Sequence, residues 1–72
     1  MNKRERELRI EMQDLAAAYG GRLMKLEMTG GHHYRLTFVR RDGSAFHYIM
    51  AYSPSDYRAL RNARALLRRY FR

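Results

Sequence analysis

The chain has 72 residues, no cysteine, no tryptophan and 46% hydrophobic residues. That composition allows one domain around one small core, and it excludes a disulfide framework, a zinc–cysteine site and a disordered tail. Fifteen Lys and Arg stand against seven Asp and Glu, a formal net charge of +8, so an acidic or nucleic-acid surface is the natural partner.

Residues 3–19 read as a helix. Leu8, Met12, Leu15 and Tyr19 recur at spacings of four, three and four, which makes one apolar stripe. Lys3 with Glu7 and Glu5 with Arg9 are i,i+4 pairs on its wet side. Gly20-Gly21 stops the helix, one of them in the left-handed C′ position. Residues 22–28 follow as a strand, with Met24, Leu26 and Met28 facing one way and Leu23, Lys25 and Glu27 the other. Thr29-Gly30-Gly31 turns the chain. Residues 32–40 form a second strand, with Tyr34, Leu36 and Phe38 on one face and His33, Arg35, Thr37 and Val39 on the other.

Arg40-Arg41-Asp42-Gly43 is the next turn, and residues 44–52 are a third strand. There Phe46, Tyr48, Met50 and Tyr52 alternate with Ala45, His47, Ile49 and Ala51. A three-residue loop with Gly43 in a bulge pairs Phe38 with Phe46, Leu36 with Tyr48 and Tyr34 with Met50. A two-residue loop would flip the third strand and scatter these groups over both faces. The first register is therefore expected.

The last helix starts at Ser53-Pro54-Ser55-Asp56, with Ser53 as N-cap, Pro54 at N1 and Asp56 at N3. Tyr57, Leu60, Ala63, Leu67 and Phe71 form its apolar stripe, and Arg58, Arg61, Arg64, Arg68 and Arg72 project roughly opposite, with Arg69 nearby. The expected fold class is α+β. It is a two-layer sandwich of α-β-β-β-α order, a single domain over residues 1–72, with both helices packed on one face of a three-stranded antiparallel sheet. Leu8, Leu15, Leu26, Leu36, Phe38, Phe46, Leu60 and Leu67 should share its core.

The positive charge is nearly all arginine, thirteen against two lysines. Its planar fork matches phosphate bidentately and stacks on bases. An ordinary wet helix face mixes signs, but here Asp56 is the only acid after Asp42. The expected nucleic-acid contacts are Lys25, His33, Arg35, Arg40, Arg41, His47, Arg58, Arg61, Arg64 and Arg68. The uncovered sheet face carries no Tyr or Phe, which argues against single-strand stacking as the main mode. No apolar run approaches the roughly 20 residues of a membrane span, and no signal-peptide pattern opens the chain, so a cytoplasmic protein without membrane contact is expected.

Gly30-Gly31-His32-His33-Tyr34-Arg35, with the helix–three-strand–helix order and the size, resembles the HicA-type mRNA interferase toxins of toxin–antitoxin systems. The resemblance implies a fold akin to a double-stranded-RNA-binding domain and a catalytic histidine at His32. The family's serine falls on Gly31, and its late Pro-x-His-like stretch is replaced by Met50-Ala51-Tyr52-Ser53-Pro54-Ser55-Asp56. Ser-Pro-Ser-Asp followed by Arg58-Ala-Leu-Arg-Asn-Ala-Arg-Ala looks more like small proteins of phages and prophages.

Three functions follow. The first is a basic RNA- or duplex-binding module. The second is a metal-independent ribonuclease using His32, with a nearby arginine or lysine on the phosphate. The third is a phage-type inhibitor that binds an acidic host protein. Val39, Ile49 and Ala51 on the uncovered sheet face also suit a homodimer. His32 and His33 are adjacent, so on a strand they point to opposite faces, and no metal site or cofactor is expected.

Overall fold

A computed structural model describes residues 3–30, 33–51 and 57–71. The elements are α1 (Lys3–Ala18), β1 (Arg22–Gly30), β2 (His33–Val39), β3 (Ala45–Ala51) and α2 (Tyr57–Phe71). The strands form one antiparallel sheet in the order β1-β2-β3. The expected α-β-β-β-α order is thus the observed one. Gly31, Tyr52 and the helix-start signal at Ser53, Pro54 and Asp56 lie outside the described residues.

α1 closes with a Schellman arrangement. The Gly20 N–H donates to the Ala17 carbonyl at 3.1 Å and the Gly21 N–H to the Ala16 carbonyl at 2.9 Å, with Gly20 at φ 80°. Gly21 has a further reason to be glycine. A Cβ there would lie 2.4 Å from the Val39 carbonyl oxygen and 2.9 Å from the Phe71 ring, so the chain leaves α1 through a gap that no side chain fits.

The β2–β3 hairpin has the three-residue loop expected of it. The Gly43 N–H donates to the Arg40 carbonyl at 2.9 Å, and the Arg40 N–H donates to the Ser44 carbonyl at 2.7 Å. Gly43 takes φ 91°, the left-handed bulge position of such loops. Phe38 faces Phe46, Leu36 faces Tyr48 and Tyr34 faces Met50.

β1 corrects the plain alternation. Leu23 pairs with Phe38 but Lys25 pairs with Thr37, so Met24 is an extra, bulged residue. The bulge switches faces once. Leu23, expected on the open side with Lys25, is buried, and Met24, expected inside, is half exposed. In this way both Leu23 and Leu26 stand beside the β2 core residues Phe38 and Leu36. The Gln13 Oε1 of α1 accepts the Leu23 N–H at 2.8 Å, which ties helix to bulge. Met28, opposite Tyr34, is also half exposed.

The core joins Leu8, Met12 and Ala16 of α1, Ala63, Leu67 and Phe71 of α2, and Leu23, Tyr34, Leu36, Phe38 and Met50 of the sheet. Leu15, Tyr19, Leu26, Phe46, Tyr48 and Leu60 pack at its margin. Every residue expected in the core is therefore in it or against it. α1 lies against β1 and α2 against β3. Phe71 anchors α2, its ring lying 5.1 Å from Phe46, 5.3 Å from Phe38 and 5.8 Å from Tyr19. Such aromatic contacts contribute beyond the area they bury.

Candidate nucleic-acid interface

The ten residues expected to contact nucleic acid fall into three groups. Four lie on the sheet face that alternates with the core residues, two in the β2–β3 turn and four on α2.

On the sheet face the cross-strand rows are Lys25–Thr37–His47 and Glu27–Arg35–Ile49. Lys25, His33, Arg35 and His47 are exposed. Thr37 is only 5% exposed, and its hydroxyl shares a 3.0 Å hydrogen bond with Nδ1 of His47. His47 is thus fixed opposite Thr37. His33 pairs one strand end away, with Ala51, so the two histidines do not meet. Glu27 takes much of the positive charge here. Arg35 donates to its Oε1 through Nη2 at 2.9 Å and Nε at 3.2 Å, and the Lys25 ammonium lies 3.6 Å from its other oxygen. The hydrogen bond from Arg35 is the main reason that the Glu27 carboxyl is held below its ordinary range, with the charges of Arg35 and Lys25 adding to it.

In the turn, Arg40 is occupied by the fold. Its Nε donates to the Tyr70 carbonyl at 2.6 Å, in the last turn of α2, where a cation satisfies an orphan carbonyl. Its guanidinium lies 4.4 Å from the centre of the Phe46 ring, and Nη1 donates to the Ser44 hydroxyl at 3.2 Å. Arg41 is exposed, and its aliphatic stem passes over Gly20. Asp42 accepts from the Ser44 hydroxyl and amide, which hold its carboxyl below the ordinary range.

α2 carries Arg58, Arg61, Arg64, Arg68 and Arg69 and no acid. All five are exposed. Arg64 forms an ion pair with Glu11 of α1, so it points to the flank that faces α1 rather than opposite the buried stripe. Arg61, Arg64 and Arg68 line a groove of about 560 Å³ with Leu60, Ala65 and Glu11. Asp14 and Leu15 line a neighbouring hollow with Glu11, Arg64 and Arg68. Among the described residues, Arg58, Arg61, Arg68 and Arg69 have no carboxylate within 4.0 Å.

Geometry separates the groups. Phe71 seats α2 on Phe38 and Phe46, while His33, Arg35, Thr37 and His47 alternate with those residues and turn away. One flat ligand cannot cover both the sheet set and the helix set. Two further cations belong to these surfaces. Arg22 is exposed opposite Val39, in register with the open face, and Arg69 extends the α2 surface. The bulge at Met24 obscured Arg22, since simple alternation runs through the wrong residue there. His32, the histidine that the family resemblance makes catalytic, lies outside the described residues. No group of three or more His, Cys, Asp or Glu able to hold a metal occurs among the described residues, and no described helix is long and apolar enough to cross a membrane. No family model, no curated protein and no solved structure matches this chain.

Proposed function

We propose that the chain is a small nucleic-acid-binding module that lays α2 along the phosphates of a duplex or structured RNA. The observation that carries this is the charge of α2: five arginines, no acid, and a single ion pair, Arg64 with Glu11, among the described residues. Like charges so close on one helix repel, and an anionic polymer compensates them. The helix is seated by Phe71 at one end, so its cations are presented on a fixed rod. Phosphate contacts of this kind set affinity and orientation and carry little base information.

The test is binding of labelled duplex RNA and DNA across a salt series. The logarithm of the binding constant should fall steeply and linearly with the logarithm of salt. Arg58→Ala, Arg61→Ala and Arg68→Ala should each lower that slope by about one and weaken all sequences alike. Undetectable binding at about 50 mM salt, or α2 variants that bind like the parent, would overturn the proposal.

A further inference from the structure

The two edges of the sheet are built differently. β1 is broken by register shifts at Leu23/Lys25 and Met28/Gly30 and carries Arg22, Lys25 and Glu27. Bulges and charges of this kind block edge pairing. β3 has neither device. All seven of its residues, Ala45-Phe-His-Tyr-Ile-Met-Ala51, pair with β2 without a shift, and none is Asp, Glu, Lys, Arg or Pro. The sheet order leaves its other side without a strand among the described residues.

Beside this edge lies apolar surface. Ile49 is 63% exposed. On α2, Leu66 and Tyr70 are 42% and 45% exposed and lie one turn apart. The Tyr70 ring is 5.6 Å from Phe46 and 6.4 Å from Tyr48. Neither Leu66 nor Tyr70 lines the groove of Arg61, Arg64 and Arg68.

We propose that β3 pairs antiparallel with β3 of a second copy, making one continuous six-stranded sheet. A copy fits for two reasons. In a chain of net charge +8, two copies repel overall, and a strand without charged residues is where they can meet at low cost. The strand is also self-complementary about Tyr48. Phe46 then faces the partner's Met50, His47 faces the partner's Ile49, and Ala45 faces the partner's Ala51. Large side chains stay on the core side and the open face gains a cover for Ile49. A two-fold axis normal to the sheet keeps both α2 helices on the same side. The inference does not rest on nucleic-acid binding by α2, because Arg58, Arg61 and Arg68 lie on the helix and not on the strand; of the residues expected to contact nucleic acid, His47 alone belongs to β3.

The experiment is sedimentation equilibrium of the nuclease-treated full chain at high salt, from micromolar to submillimolar concentration, followed by disulfide trapping. The parent should form a dimer. Ile49→Lys should weaken dimerisation at least tenfold while leaving the circular dichroism spectrum unchanged, because that side chain is exposed. The chain has no cysteine, so His47→Cys mixed with Ile49→Cys should give a disulfide-linked heterodimer on mild oxidation. Each variant alone should cross-link poorly, since like positions sit on a diagonal about 7–8 Å apart. A parent that stays monomeric overturns the inference. So does a dimer that tolerates Ile49→Lys, or one in which either single variant links to itself as fast as the mixture.

Discussion

α1 and α2 both supply the hydrophobic cluster, but they differ in what they show to solvent. α1 carries four basic and four acidic residues, Lys3, Arg4, Arg6 and Arg9 against Glu5, Glu7, Glu11 and Asp14. α2 carries five arginines and no acid. A helix needs only a polar face to be soluble, and α1 meets that need with balanced charge. The one-sided charge of α2 adds net charge, which balanced charge does not. It costs repulsion, and the proposal of an anionic ligand on α2 rather than on α1 rests on that difference.

The largest effect expected is on the seat of α2. Phe71→Ala removes the ring that touches Tyr19, Phe38 and Phe46 and should destabilise the fold by about 3–5 kcal/mol. For a domain of this size that is most of the stability available. Urea denaturation is the measurement. A loss below about 1 kcal/mol would mean that α2 is held by something other than this ring.

Next comes the charge itself. Arg58→Ala/Arg61→Ala/Arg68→Ala together should weaken duplex binding on the order of a hundredfold near 100 mM salt and lower the salt slope by about three. Lys3→Ala/Arg6→Ala on α1 should change affinity by less than about threefold, because only general screening is altered. Equal losses from both helices would erase the contrast and leave net charge as the only cause.

A smaller gain of function sharpens the same point. Glu11 is the carboxylate that ties up Arg64. Glu11→Gln should free it, strengthen binding a few-fold and raise the salt slope by about one. The exposed pair itself contributes little to stability, within about 1 kcal/mol, so melting should barely move.

Much of this contrast was legible in the sequence. The arginine spacing on residues 58–69 and the absence of acids there needed no coordinates. The β2–β3 register was legible too, because bulky residues at 34, 36, 38, 46, 48 and 50 share a face only with a three-residue loop. The bulge at Met24 was not, since Met24, Leu26 and Met28 alternate as well as Leu23 and Leu26 do not. The contacts that hold the bulge are tertiary: the Gln13 side chain accepts from the Leu23 amide, and Leu23 pairs with Phe38. Arg40 was misleading for a similar reason. Its role as a cap on the Tyr70 carbonyl joins residues thirty apart, and local pattern carries no trace of that. The side of α2 on which Arg64 points also depends on where α1 lies, through Glu11.

The smallest effect expected separates α2 from the sheet face as the binding surface. Glu27 is the acid between Lys25 and Arg35. Its folded carboxyl is held below the ordinary range, first by the Arg35 hydrogen bond. A carboxyl depressed in the folded state stabilises the fold above its unfolded pKa, and that contribution is lost as pH falls through the folded value. Glu27→Gln should therefore make stability slightly less sensitive to acid, read as a shallower fall in melting temperature below the carboxylate range. The same variant releases two cations on the open face. If that face held the phosphates, affinity and salt slope would rise at neutral pH as they do for Glu11→Gln. With α2 as the binding surface, Glu27→Gln should leave the salt slope unchanged and affinity within about threefold. A slope that rises with Glu27→Gln and ignores Glu11→Gln would move the ligand from the helix to the sheet.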